Sequence, residues 1–211
     1  TDLVQQALSR SLKASGGLPM LVSQAAAASA LFTGAPVSAE KTEQIIHALS
    51  CQTRNIVLIG MPGCGKTTIG SLLAAMRARP FFDTDKEIEN DLGRSIPDVF
   101  QNEGEALFRS LERDKVRALC KRSGCVIATG GGAVLDADNR EAMRENAFVV
   151  FLQRPLSALP TDGRPLSQGF AALDAMYRRR LPLYEACADL VLSNTDAPEV
   201  TARQIWEAFQ A

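Results

Sequence analysis

The chain has 211 residues, 46% of them hydrophobic and 22% charged, which suits one α/β domain of about 150 residues with a full core plus an additional segment. Its 23 basic and 24 acidic side chains are interspersed and sum to a net charge of -1, excluding the basic field that nucleic acid or an anionic membrane surface demands. Apolar stretches break well short of the ~20 residues of a membrane span and no charged n-region precedes an apolar core, so a soluble cytoplasmic protein with small-molecule partners is expected.

Residues 1–50 carry only helix-type spacing, in three stretches at roughly Asp2–Ala14, Met20–Phe32 and Ala39–Ser50, the middle one rich in alanine. Gly16-Gly17 and Gly34-Ala35-Pro36 separate them. A helical appendage of this size does not easily build a core alone, so it is expected to pack on the rest of the chain, to pack on another chain or to remain mobile. A chain that starts at Thr1 reads as a fragment of a longer polypeptide or a processed one. The only histidine, His47, falls on the third stretch as a surface residue, which rules out a histidine-based triad or a histidine zinc site. The five cysteines, Cys51, Cys64, Cys120, Cys125 and Cys187, are odd in number and lack CxxC spacing, so free thiols are expected.

From Asn55 onward, β-rich runs alternate with helical spacing. Strands are predicted at Asn55–Ile59, Phe81–Asp83, Cys125–Thr129, Ala147–Leu152 and Leu190–Leu192, with helices that include Lys66–Arg77, Glu105–Lys121 and Ala172–Ala186. This βαβα order predicts a parallel sheet with ligands at the carboxyl ends of its strands. Gly60-Met61-Pro62-Gly63-Cys64-Gly65-Lys66-Thr67 fits GxxxxGK[ST] directly between the first strand and the first of these helices, and Thr68 follows. Glycines let backbone N–H groups curve around phosphate oxygens at a helix N-terminus, Lys66 adds a point charge and Thr67 offers a hydroxyl to Mg²⁺, so a nucleoside triphosphate site is predicted.

Asp83 and Asp85 close the second strand, and a period of two would point both to one side, one toward metal and one toward an acceptor hydroxyl. Arg109 and Glu112, three apart on a helix, can pair; Glu112 would then orient a guanidinium able to take a carboxylate bidentately. The alternative is a solvated ion pair of little consequence. Gly130-Gly131-Gly132 ends a buried strand and permits close approach of a ligand, or simply makes a loop. Asp162-Gly163-Arg164-Pro165-Leu166 sits in a polar stretch of the kind that makes a lid, from which Arg164 would reach phosphate. Arg178-Arg179-Arg180 lies near a predicted helix end, two of the three expected at the surface.

In order and spacing, GMPGCGKTTIG, FFDTD, SIPDVFQNEGEALFRSLE, ATGGG, GRPL and RRLPLYEACAD resemble the motifs of shikimate kinases over about residues 55–211. The resemblance implies a P-loop, nucleoside-monophosphate-kinase-like three-layer fold with a five-stranded parallel sheet. It implies transfer of the ATP γ-phosphate to the 3-hydroxyl of shikimate, with Mg²⁺, in aromatic amino-acid biosynthesis. Residues 51–211 would form the kinase domain with a lid at about 153–168. Carried over, Lys66 and Thr67 hold phosphate and Mg²⁺, Asp83 contacts the metal, and Asp85 binds the shikimate hydroxyls and acts as base. Arg109 and Arg180 clamp the carboxylate with Glu112 in support, Gly130, Gly131 and Gly132 line the ring, Arg164 is the lid arginine and Pro198 lies against adenine. The segment from Gln153 to Arg164 is shorter than the usual lid, and the second arginine that family members stack on adenine has no clear counterpart. Another small-molecule kinase of the same fold would lack the two clamping arginines; a nucleotide-binding regulator is the reading from a different class, and the lack of NKxD disfavours its GTPase form.

A weaker resemblance links Thr1-Asp2-Leu3 and Gly17-Leu-Pro-Met-Leu-Val-Ser-Gln24-Ala to the C-terminal helices of shikimate dehydrogenases, with Gln24 matching a substrate-contacting glutamine. It implies a piece of a dehydrogenase–kinase fusion, residues 1–50 packing on the kinase or on the missing dehydrogenase portion.

Overall fold

The structure is a computed structural model that describes residues 6, 7, 10, 12, 16–159 and 170–211. They divide into two compact units, Thr1–Thr53 and Arg54–Ala211. No helix among the described residues is long and apolar enough to cross a membrane.

The first unit holds helices α1 (Gly17–Thr33) and α2 (Ala39–Thr53). Gly34 ends α1 in the left-handed conformation, its N–H capping Ala30 O, and Ser38 Oγ accepts from Lys41 N to begin α2. Helix α2 runs past the boundary at residue 50 that the sequence suggests. Among its described residues only Val22 of α1 is buried, and Leu31 and Phe32 are exposed. His47 is exposed as expected, and most of the Asp2–Ala14 stretch lies outside the described residues.

The second unit is a five-stranded parallel sheet in the order β2-β3-β1-β4-β5, built from β1 (Asn55–Ile59), β2 (Phe81–Asp83), β3 (Val126–Ala128), β4 (Ala147–Gln153) and β5 (Leu190–Ser193). All five residues of β1 are buried, as a central strand covered on both faces requires. The one polar residue among them, Asn55, is fully paired: its Nδ2 donates to Cys120 O (3.2 Å) and Arg122 O (2.7 Å), and its Oδ1 accepts from Cys125 N (2.9 Å). Leu58, Ala128 and Asp83 occupy one row across β1, β3 and β2.

Helices α3 (Lys66–Arg77), α4 (Thr84–Leu92), α5 (Ile96–Cys120), α6 (Ala137–Asn146), α7 (Phe170–Cys187) and α8 (Pro198–Gln210) complete the unit. Helix α5 starts well before the predicted Glu105 but breaks at Gly104, whose φ of 84° and ψ of 172° are not helical. Ile88, Val99 and Phe108 form a cluster, flanked by Leu92, Ile96, Phe100 and Leu111, that locks α4 against both halves of α5. Helix α7 continues through Pro182, so the three arginines sit in mid-helix and not near its end. Cys64, Cys120, Cys125 and Cys187 are buried free thiols, and Cys51 Sγ lies 3.6 Å from His47 Nε2.

Candidate active site

At the carboxyl end of β1 the chain turns through Gly60, Gly63 and Gly65, with φ of 144°, 79° and 102°, and enters α3 at Lys66. Asn194, at the end of β5, braces this loop by donating Nδ2 to Cys64 O at 2.7 Å; a Cβ on Gly65 would stand 2.5 Å from the same nitrogen. The Lys66 ammonium is buried inside the loop and donates to Gly60 O and Met61 O, each at 2.9 Å. Thr67 donates to Asp83 Oδ2 at 2.6 Å. Thr68 is exposed on the first turn of α3.

Asp83 is the last residue of β2, but Asp85 is not on a strand. Asp83 Oδ1 accepts from Asp85 N (3.1 Å) and Lys86 N (3.4 Å), an N-cap that turns the chain into α4 at Thr84. The two carboxylates therefore share a site because one caps the helix that carries the other, and the strand alternation expected from sequence does not apply. Burial pushes the Asp85 carboxyl up from 3.8 to about 6, with the charges of Asp83 and Glu112 adding to the rise and Lys66 opposing it. Thr84 is itself buried and accepts from Gly130 N at 2.9 Å, which joins α4 to the glycine turn after β3.

That turn is tightly bounded. A Cβ on Gly130 would lie 2.6 Å from Glu112 Oε1 and 2.7 Å from Asp85 Oδ1, and one on Gly132 would collide with the Arg109 guanidinium. Glu112 is 1% exposed and accepts from Arg109 Nη1 at 2.6 Å, the pair that their spacing predicts. Burial drives the Glu112 carboxyl up while Arg109 and Arg180 hold it down, the balance falling upward. Arg109 also donates from Nε (3.1 Å) and Nη2 (3.0 Å) to Glu105 Oε1. Of the three consecutive arginines, Arg178 and Arg179 are exposed and Arg180 is buried, its Nη1 donating to Gly131 O at 2.9 Å. Tyr184, one turn on, donates to the same carbonyl at 2.6 Å while its ring stacks on Phe151 at 4.7 Å.

A single cavity of about 300 Å³ joins these parts. Pro62, Gly63, Lys66, Thr67 and Asp83 line one end; Asp85, Arg109, Glu112, Gly130, Gly131, Gly132 and Arg180 line the rest, with Ile96, Phe100, Phe108 and Met176 as apolar walls. Asp85 Oδ1 and Glu112 Oε1 are buried and have no hydrogen-bond partner among the described residues. Such a space can hold a small polyhydroxylated anion beside a phosphate-binding loop. Pro198, exposed at the start of α8, does not line it. Arg164 lies outside the described residues. Sequence reading missed Thr84, Glu105, Tyr184 and Asn194. Of these, Tyr184 and Glu105 left a signal, since each stands four residues from an arginine on its helix, Arg180 and Arg109 respectively.

The shikimate kinase family profile matches residues 62–210. A shikimate kinase of Moorella thermoacetica is 46% identical over 166 residues, 74% of this chain and 95% of that protein. One from Burkholderia pseudomallei strain 1710b is 42% identical over 154 residues, 69% and 83% of the two chains. The shikimate kinase of Acinetobacter baumannii, solved in complex with shikimate, superposes with a TM-score of 0.72 at 35% identity, covering 77% of this chain and 96% of that one. With the phosphate loop, the acidic pair and the arginine-lined cavity on one sheet edge, the chain belongs to the shikimate kinase family.

Proposed function

We propose that the cavity holds shikimate with its carboxylate on Arg109 and Arg180 and its 3-hydroxyl on Asp85, and that ATP over the loop donates its γ-phosphoryl to that hydroxyl. The product is shikimate 3-phosphate, on the route to chorismate and the aromatic amino acids. The observation that carries this reading is the confluence of Lys66, Asp85, Arg109 and Arg180 on one cavity. Two guanidiniums select a carboxylate, and a carboxyl raised to about 6 is mostly ionised near neutrality yet basic enough to accept a hydroxyl proton.

In phosphoryl transfer the protein chiefly positions groups and offsets charge. Lys66, which now bonds carbonyls of its own loop, would turn its ammonium to the phosphate oxygens. Gly130, Gly131 and Gly132 let the ring lie against backbone, and Glu112 keeps Arg109 in orientation. The Thr67 hydroxyl and Asp83 carboxylate, 2.6 Å apart beside the loop, are the hard oxygen donors that Mg²⁺ takes together with phosphates and water. Bound there, Mg²⁺ would neutralise charge on the transferring phosphate. The remaining nucleotide contacts are assigned to Gly60 through Thr68, to Arg164 in a lid at about 153–168, and to Pro198 beside adenine. Residues 1–50 are proposed to be the remnant of a dehydrogenase C-terminus in a fused protein. Its exposed apolar Leu31 and Phe32 suit a surface that packs on more protein. Four buried free thiols suit a reducing cytoplasm.

A coupled ADP-release assay tests the reading. Shikimate-dependent turnover is expected, with Asp85→Asn and Arg109→Ala each lowering it by orders of magnitude. Turnover with gluconate or a nucleoside monophosphate in place of shikimate would overturn it.

A further inference from the structure

Arg109 enters the catalytic cavity already carrying two carboxylates. Glu112 takes one hydrogen of Nη1 at 2.6 Å and is almost wholly buried, which is enough to fix the plane of the guanidinium. Of the two guanidinium edges that can make a bidentate contact, Nη1–Nη2 lies against Gly132, and the other is formed by the parallel N–H groups of Nε and Nη2. Glu105 Oε1 occupies both, at 3.1 and 3.0 Å. Unlike Glu112, the Glu105 side chain is 52% exposed. It also follows directly on Gly104, where the helix is broken at a φ of 84°, so its first turn is not held by a continuous helix on its N-terminal side.

We propose that Glu105 is an internal competitor for the substrate's carboxylate, holding the Nε–Nη2 edge of Arg109 until substrate displaces it, and thereby setting the affinity for the acceptor. The inference rests on the reading that Arg109 binds the substrate carboxylate. A neighbouring cavity of about 320 Å³, lined by Glu105, Met176, Arg179 and Arg180 among others, gives the displaced side chain room against a positively charged wall. Met176 and Arg180 line both cavities, so the exchange takes place across a shared partition. Glu105 is thus a positioning residue that acts through Arg109. Its effect has a definite sign: a brace would help binding, whereas a competitor opposes it.

The test is isothermal titration of shikimate into the full-length chain without nucleotide, for the wild type, Glu105→Gln and Glu105→Ala. The glutamine keeps shape and removes charge; the alanine removes both. Each variant is expected to bind shikimate roughly threefold to fivefold tighter, the scale of a half-exposed ion pair. The KM for shikimate should fall in parallel, with kcat changing much less. The neutral methyl ester of shikimate, which cannot compete for the guanidinium as an anion, should show no such gain. Equal or weaker shikimate binding by the variants would overturn the proposal and make Glu105 a brace. So would an equal gain for the ester. If the wild type turns over shikimate and Arg109→Ala abolishes its binding while the Glu105 variants gain nothing, the competition alone fails. If Arg109→Ala leaves shikimate binding intact, the underlying reading fails and the competition with it.

Discussion

Replacing Asp85 by Asn should abolish turnover and at the same time stabilise the protein. The Asp85 carboxyl titrates at about 6 against 3.8 for the free side chain, first through burial and then through the charges of Asp83 and Glu112. Across that interval the folded state binds a proton that the unfolded state has released, so stability falls as pH rises from about 4 to about 6 and the whole penalty persists at neutrality. The difference amounts to roughly 3 kcal/mol as an upper figure; relaxation and water penetration reduce it to about 1–3 kcal/mol. Asn removes the charge and also supplies an N–H₂ group near Glu112 Oε1, a buried oxygen without a partner among the described residues. Urea unfolding followed by Trp206, the single tryptophan, reports on the unit that contains the site. At about pH 7 the variant should be more stable by that amount, and near pH 4 the advantage should vanish, while ADP release is lost. A variant no more stable than wild type at pH 7, or an advantage that does not change with pH, would refute the reasoning.

The same carboxyl should give kcat/KM an acid limb near pH 6, rising as Asp85 loses its proton, measurable in the coupled assay across pH 5 to about 8. Gly132→Ala drives a methyl into the Arg109 guanidinium, which Glu112 pins in place; the backbone at Gly132 has φ of -96°, so the clash alone acts. The KM for shikimate should rise at least about tenfold with little change in that for ATP. Tyr184→Phe keeps the stack on Phe151 but deletes the 2.6 Å bond to Gly131 O, so thermal denaturation should show a loss of about 1 kcal/mol and KM for shikimate should rise a few-fold. Asn194→Ala leaves Cys64 O without its side-chain donor. It should weaken ATP binding by about 1–2 kcal/mol in titration while sparing shikimate.

The phosphate loop was legible because its work is done by backbone, which demands glycines at set intervals between a strand and a helix. The Arg109–Glu112 pair was legible because it is local, three residues apart on one helix. Asp85 lines the cavity, but not through the strand alternation expected of it. Its sequence fits a two-residue alternation, but Asp83 caps a helix there, a competition between strand and cap that depends on the neighbouring sheet. Arg180 was separable from its two neighbours only through family resemblance, since burial depends on what packs against α7. Asn194 acts on a carbonyl 130 positions away and nothing in its local sequence points there; the spacing of Tyr184 from Arg180 puts both on one helix face, but their shared target, Gly131 O, is far off in sequence. Glu105 is hidden in the sequence because a second acid near an arginine on a helix has the pattern of a solvated charge.

The row that aligns Leu58, Ala128 and Asp83 across three strands has a consequence for how this site can change. Gly60, Gly130 and Asp85 each follow two residues beyond a member of that row, so the phosphate loop, the glycine turn after β3 and the start of α4 leave the sheet at a common height, in lateral steps of about 4.8 Å. Main-chain hydrogen bonds thus act as the ruler between donor and acceptor, and substitution of side chains leaves that ruler untouched. With the acceptor held as proposed, a different alcohol would be fitted by altering α5 and α7, while the reach from phosphate to hydroxyl would be inherited unchanged.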